Sequence, residues 1–211
     1  MNKNKSNFKT TRMNTLNLNF MKTTKLFLTA IFSLALFASC SNDDDSGGEP
    51  NEEEIITNVT LAFVNDADAT DVVTLLSVDA DGEDGPLAPV QTITGSFTAG
   101  ATYTGTVDLF NAIEGEDITE EVTEDEPDEH FFTYAVNGID VTFTRSANDI
   151  VRADGEKLGF ETTWVANTAG SGSITVQLWH QSETVNDDNE FGTQTGGSQD
   201  VNITFTGIDI Q

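Results

Sequence analysis

The sequence predicts an all-β domain, a single antiparallel β-sandwich of the immunoglobulin-like kind with roughly nine strands. After residue 54 the chain is rich in Thr, Val, Ile and Phe, and it has few helix-forming residues at helical spacing. Its apolar residues instead alternate with polar ones in short segments, which is the period of a half-buried strand. Gly, Asn and Asp separate these segments, as expected for turns. Residues 55–211 are enough for one domain with its own core.

The first four predicted strands each present one apolar face. The faces are Val59, Leu61 and Phe63 in the first strand, Val72, Thr74, Leu76 and Val78 in the second, Ile93 and Phe97 in the third, and Tyr103, Gly105, Val107 and Leu109 in the fourth. The stretch Glu114–Glu129 then interrupts the pattern, because ten of its sixteen residues are acidic. We expect an exposed connection there, with a helical turn around 118–122.

The second half of the domain begins with the strongest local signal in the chain. Asn137-Gly138 lies between two alternating segments, His130–Val136 and Ile139–Arg145, and Asn-Gly in that context predicts a β-hairpin. Further strands are predicted over Leu158–Val165, Ile174–His180 and Asp200–Ile210. The stretch 181–199 is expected to be a long loop. The apolar phase of the last strand changes after Gly207, which predicts a β-bulge.

The segment Leu26–Cys40 resembles an export signal. Lys22 and Lys25 precede its apolar run, and Ala38-Ser39 stand directly before the single cysteine of the chain. A basic start, a short apolar segment and small residues at the cut are the parts of a secretory signal, and twelve apolar-rich residues are too few to cross a bilayer. We expect residues 1–39 to be removed, with Met21 as the true start, and Cys40 to be lipidated.

An acidic, Gly-rich stretch, residues 40–54, follows the signal and predicts a disordered tether. Beyond Cys40 the chain carries only Arg145, Arg152 and Lys157 against 36 acidic residues, a balance that excludes a nucleic-acid-binding protein. The stretch after Cys40 resembles the Ser/Asp-rich segment that follows the lipidated cysteine in Bacteroidetes-type lipoproteins. This resemblance implies a lipid-anchored protein of the outer membrane, exposed at the cell surface, or facing the periplasm as the alternative. The expected partners are the membrane, through the lipid, and an outer-membrane transporter or envelope protein.

The two histidines are the candidate metal ligands. His130 begins one predicted strand and His180 ends another, and by alternation both point toward the core layer at its rim. If the two strands pair, their imidazoles meet, and two histidines with a carboxylate can bind zinc or a similar divalent ion. The candidate carboxylates are Glu129, Glu183 and Asp200. The competing interpretation is two unrelated histidines, each hydrogen-bonded at the rim.

The other motifs in the sequence give weaker support for a functional site. The acidic run Asp79–Glu83 departs from the calcium-loop pattern, because Asp84 and Val90 stand where a Gly and a bidentate Glu are needed. No phosphate-binding loop or nucleophile elbow is present in the sequence, so we expect no enzyme. Trp179, out of phase with its strand's apolar face, is a candidate sugar-stacking residue. It supports the alternative function, an adhesive surface sandwich that contacts a glycan or a protein.

Four short motifs, which follow one another along the chain, resemble segments of a protein family. They are Asp128–Tyr134, Asp154-Gly155 followed by Leu158-Gly159, Leu178–His180, and Gly196–Asp200. They are similar to segments of a group of small Bacteroidetes-type lipoproteins, some of which are labelled periplasmic-binding-type proteins or GTP cyclohydrolases. The sequence has neither the α/β halves nor the nucleotide site that these labels require. The resemblance implies that His130, His180, Glu129 and Asp200 belong to a shared feature, although Trp179 and Gln181 depart from the family's basic and acidic residues.

Overall fold

The structure, a computed structural model, describes residues 54–82, 85–189 and 191–211. The predicted signal segment and Cys40 lie outside these residues. Within them the chain forms twelve strands: β1 (Asn58–Asn65), β2 (Asp68–Val78), β3 (Val90–Thr94), β4 (Thr102–Asn111), β5 (Glu116–Asp117), β6 (His130–Asn137), β7 (Asp140–Arg145), β8 (Glu161–Thr168), β9 (Gly170–His180), β10 (Thr184–Asn186), β11 (Thr193–Thr195) and β12 (Ser198–Ile210). No helix in the described ranges is long and apolar enough to span a membrane.

The strands form a sandwich of two unequal antiparallel sheets. The larger sheet has the order β3-β2-β1-β4-β8-β7, with β5 beside β4, and the smaller one has the order β12-β9-β6. A separate hairpin pairs β10 with β11. The all-β sandwich predicted from alternation is thus confirmed, with three short strands beyond the nine expected. Two of these, β10 and β11, lie within the predicted loop 181–199.

The core between the sheets is built around Trp164. Its ring meets Phe63 and Phe143 edge to face, at centroid distances of 5.4 and 4.8 Å, and it meets Tyr134 of the smaller sheet at 5.9 Å. The indole nitrogen donates to Thr162 Oγ1 over 2.9 Å, so the burial of Trp164 leaves no donor unpaired. One large aromatic side chain therefore joins the two layers.

The inward faces follow the predicted alternation in β1 and β4 and depart from it in β2. Val73, Leu75 and Ser77 are buried in β2, whereas Val72 is 38% exposed. The reason is register, because Val73 pairs with Phe63 of β1 and Leu75 with Leu61. Residues that face each other across an antiparallel pair point to the same side of the sheet, so β1 determines which face of β2 is buried.

The prediction of a β-hairpin at Asn137-Gly138 is wrong. The turn connects β6 to β7, but β6 pairs with β9 and β7 pairs with β8, so the turn carries the chain from one sheet to the other. The connection between β8 and β9 also passes from one sheet to the other. The backbones of the two connections lie against each other near Gly138 and Gly172. Gly172 makes this possible, since a Cβ on it would lie 2.0 Å from Asn137 O.

The outer edge of β6 is closed by two of the three basic residues of the domain. Arg145 donates to Phe132 O over 2.6 Å and Arg152 donates to His130 O. Phe132 N donates to Leu158 O on the same edge. Guanidinium groups therefore satisfy carbonyls that an edge strand leaves unpaired.

A short helical segment precedes β6 where a helical turn was expected. Its α-helical part, Ile118–Glu120, is capped by the Asp117 carboxylate, which accepts from Thr119 N, and it continues as a π-helical turn, Glu121–Asp125. Ile118 and Val122 are buried and fix the segment to the core. The segment ends at Glu126, close to the start of β6.

The stacked crossings can be tested with a pair of glycine substitutions. Gly172→Ala should destabilise the domain by about 1–3 kcal/mol, because the new methyl group has no space beside the Asn137 carbonyl. Gly170→Ala is the matched control, since its Cβ would lie at an ordinary 3.7 Å from Gly138 O. Urea unfolding of both variants gives the measurement, and equal stability of the two would contradict this packing.

Candidate metal centre

The two histidines lie side by side on neighbouring strands. His130 of β6 is the direct register partner of His180 of β9, at the same end of the smaller sheet. Their rings stack, with centroids 4.7 Å apart and planes inclined by 12°. Both residues are buried, at 0% and 2% exposure. The predicted meeting of the two imidazoles is therefore found, and it follows from the pairing of β6 with β9.

Two buried carboxylates complete the cluster. Glu54, which precedes β1, places Oε1 3.1 Å from His130 Nε2 and Oε2 3.8 Å from His180 Nδ1. Asp200 of β12 places Oδ2 3.9 Å from His130 Nε2. One ligand atom from each of the four side chains lies within 4.8 Å of all the others. Glu54 Oε1 and His130 Nε2 do not meet hydrogen-bond geometry despite their close approach.

A β-bulge directs Asp200 into this cluster. Gln199 pairs with Trp179 and Val201 pairs with Leu178, so Asp200 is the extra residue between two regular pairs. A bulge bends its strand and re-aims a side chain. The Asp200 carboxylate is 0% exposed, as expected for a side chain turned into the sandwich. The second bulge of β12 is at Gly207, where the change of apolar phase predicted it.

Each imidazole has an oxygen atom near the ring nitrogen that faces away from the cluster. His130 Nδ1 lies 3.0 Å from Glu126 O, at the end of the π-helical turn. His180 Nε2 lies 3.5 Å from Glu129 Oε2, and Glu129 in turn accepts from Gln181 Nε2 over 2.8 Å. With protons on these outer nitrogens, the lone pairs of His130 Nε2 and His180 Nδ1 face Glu54. Metal-binding histidines characteristically have such an acceptor on the far nitrogen.

The buried charges of the cluster compensate one another. Burial opposes the charge on Glu54, but the close approach of His130 and the positive potential of both imidazoles outweigh it and lower the pKa of this carboxyl. Burial likewise opposes a proton on His130, yet Glu54, the Glu126 carbonyl and Asp200 together raise its pKa above 6.5. Each group is thus held in a low-dielectric space by partners of opposite sign.

The arrangement is chemically suited to a divalent transition-metal ion. Two imidazole nitrogens and two carboxylate oxygens form a common tetrahedral ligand set, in which ligand bonds of about 2.0–2.2 Å imply ligand atoms about 3.3–3.5 Å apart. Around His130 Nε2, Glu54 Oε1 at 3.1 Å and Asp200 Oδ2 at 3.9 Å lie on either side of that value, and one ligand atom from each of the four residues lies within 4.8 Å of all the others. A hard ion such as Ca²⁺ instead prefers six to eight oxygen ligands. Two carboxylates with a divalent ion also make the buried centre electrically neutral.

Three of the five metal-ligand candidates from the sequence, His130, His180 and Asp200, converge in the structure. Glu129 lies on the other side of His180, with Oε2 3.5 Å from His180 Nε2, where it forms a second possible metal-ligand group with His180 and Glu126. Glu183 is exposed and belongs to none of the metal-ligand groups found among the described residues. Trp179, predicted as an exposed sugar-stacking residue, is half-buried and donates to Thr133 Oγ1 over 2.9 Å.

Glu54 was missed because it ends an acidic run that the sequence assigned to a tether. Its side chain is only 2% exposed. One signal was available, since Glu54 directly precedes Ile55 and Ile56, where the apolar pattern begins.

Comparisons of the chain with protein-family models, with curated proteins and with solved structures each found no match.

The raised pKa of His130 predicts how the stability of the metal-free protein depends on pH. Because the folded-state pKa lies above 6.5, protonation of His130 favours folding. This stabilisation is complete below about pH 6.5 and is lost as the pH rises through the raised pKa. Glu54→Gln removes a main cause of the shift and should flatten the dependence.

Urea unfolding in the presence of a chelator, between about pH 6 and pH 8, provides the measurement, since that interval covers the ordinary His titration. Glu124→Gln, in the exposed part of the acidic connection, is the control and should keep the wild-type slope. An unchanged slope in Glu54→Gln would contradict the assigned contact.

Proposed function

We propose that this protein is a metal-binding module that holds one divalent transition-metal ion, zinc or a chemically similar ion, through Glu54, His130, His180 and Asp200. The observation that carries the proposal is the convergence of four buried metal-ligating side chains from four separate segments. Buried charges are expensive unless they are paired or coordinate a metal. A divalent ion would satisfy both carboxylates and both imidazole lone pairs together.

The ligand count favours holding the ion over catalysis with it. Catalytic zinc sites use three protein ligands and keep one position open for water or substrate, whereas four protein ligands close the tetrahedron. All four side chains here are at most 3% exposed. The function best supported is therefore binding or storage of the ion, with a structural contribution to the sandwich.

We further infer that the module is displayed outside the inner membrane as a lipoprotein. The support comes from the sequence: the export-type segment Leu26–Cys40, the small residues before Cys40 and the acidic residues after it. A strongly anionic exterior concentrates cations near the protein. This setting suits a module that captures metal for a transporter or envelope protein of the outer membrane, and palmitate labelling of the wild type and of Cys40→Ala tests the anchor.

Metal binding can be tested on the soluble domain with a matched set of variants. The purified domain should take up one equivalent of Zn²⁺ by elemental analysis, and Zn²⁺ at about 100 times its dissociation constant should stabilise it by about 2.7 kcal/mol. His130→Ala with His180→Ala should abolish both effects. Glu183→Gln, which changes an exposed carboxylate outside the cluster, should bind like the wild type. Equal metal content in the wild type and the double variant would refute the proposal.

The role of Glu129 behind His180 gives a separate prediction. Glu129→Gln should weaken zinc binding by about 10–100-fold without abolishing it, because the substitution replaces the charged carboxylate beside His180 with a neutral, weaker acceptor but keeps all four ligands. Competition with a fluorescent chelator provides the affinity. Loss of all binding would make Glu129 a direct ligand, and wild-type affinity would remove it from the site.

A further inference from the structure

The four proposed ligands differ in how their backbones are held. His130, His180 and Asp200 belong to three adjacent strands of one sheet, where β9 pairs with β6 on one side and with β12 on the other. Ser198 also pairs directly with His180, which fixes β12 two residues before Asp200. The backbones of these three residues are therefore held by strand pairing, directly for His130 and His180 and on both sides of the bulge for Asp200, and their side chains form a preorganised three-ligand platform.

Glu54 is held in a different way. In the described part of the chain, the backbone hydrogen bonds of its segment begin only at Thr57, whose amide donates to Phe110 O over 3.1 Å. Thr57 is a firm anchor, since its carbonyl also accepts from Asp79 N and its hydroxyl accepts from Ala112 N. Ile55, between Glu54 and this anchor, is 49% exposed. The side chain of Glu54 thus reaches the cluster from a short stretch with little other attachment.

The geometry points to Glu54 as a latch, and this inference rests on the proposed metal function. We propose that the ion first binds the three-ligand platform of His130, His180 and Asp200, with water in the fourth position, while Glu54 is turned outward about Ile56. Glu54 then replaces the water and closes the centre. Segments with few buried contacts and few hydrogen bonds are those that open locally at the lowest free energy.

The latch also explains how an ion reaches a buried site. With Glu54 in place, the four ligands are almost fully excluded from solvent, so exchange of the ion requires some part of the surroundings to move. Opening the platform would break pairing between β6, β9 and β12, whereas moving Glu54 and Ile55 breaks no backbone hydrogen bond of a strand. The movement of Glu54 should therefore control both loading and release.

Stopped-flow zinc binding separates this mechanism from a rigid four-ligand site. In the wild type the observed loading rate should reach a plateau at high Zn²⁺, because opening of Glu54 becomes limiting. Asp200→Asn loses a platform ligand but keeps the latch, so it should bind more weakly with the same plateau. Glu54→Gln should load in proportion to Zn²⁺ without a plateau and release zinc to a chelator at least about tenfold faster.

The outcomes distinguish the latch from the proposed function. A wild type that binds no zinc refutes the metal function itself. A wild type that binds zinc without a plateau, or a Glu54→Gln variant that keeps the wild-type plateau and release rate, refutes the latch alone.

If the Glu54→Gln variant binds zinc too weakly for its kinetics to be recorded, cleavage of the wild type by a glutamate-specific protease provides a second measurement. The new amino terminus at Ile55, detected by mass spectrometry, should appear faster without zinc than with it. Equal rates with and without zinc would overturn the proposal.

Discussion

The pairing of β6 with β9 is the constraint on which the rest of the structure depends. It places His130 opposite His180, and it positions the crossing at Asn137-Gly138 against the crossing between β8 and β9. Because side chains alternate with period two, a shift of one residue in this register would turn His130 to the outer face and Phe131 toward the core. The core and the candidate centre are thus specified by the same set of backbone hydrogen bonds.

Two of the three basic residues of the domain lie beside this pair of strands. Arg145 and Arg152 donate to carbonyls on the outer edge of β6, and Lys157 donates to Ser146 O over 2.7 Å. Positive side chains are therefore used to close an edge strand next to the histidines. The remaining charged surface is acidic, which attracts cations over distances of about the Debye length, 8–10 Å. The uneven use of charge thus places positive groups at the edge of β6 and leaves the remaining charged surface acidic.

The sequence correctly predicted the features that depend on local alternation. The predictions were wrong where pairing with a strand distant in sequence determines the structure. The inward faces of β1 and β4, the bulge at Gly207 and the helical turn near residue 120 all follow from periods and turn residues within a few positions. The Asn137-Gly138 hairpin was wrong because pairing with β9 and β8 outweighs the local preference of the turn. The phase of β2 was wrong for a similar reason, since its partner β1 selects the buried side.

The candidate site was predictable in part for the same physical reasons. His130 and His180 could be identified because two histidines at equivalent strand ends are conspicuous in a chain with no others. Asp200 could be proposed but not placed, since the bulge that turns it inward is visible only in the pairing of β12. Glu54 was not predicted because an acidic run usually remains solvated, and its position next to Ile55 and Ile56 was only a weak signal for burial. Its burial depends on a tertiary contact that its neighbours in sequence do not encode.

Because Asp200 is the single extra residue of a β-bulge, the candidate metal centre can be altered by deleting one residue without changing the fold. Removing Asp200 would join Gln199 directly to Val201 and leave a regular strand in which every other partner of β9 is unchanged. The deletion would remove one of the four proposed ligands and leave the register of β9 and β12 intact on both sides. The proposed centre and the sandwich that carries it can therefore change independently of each other.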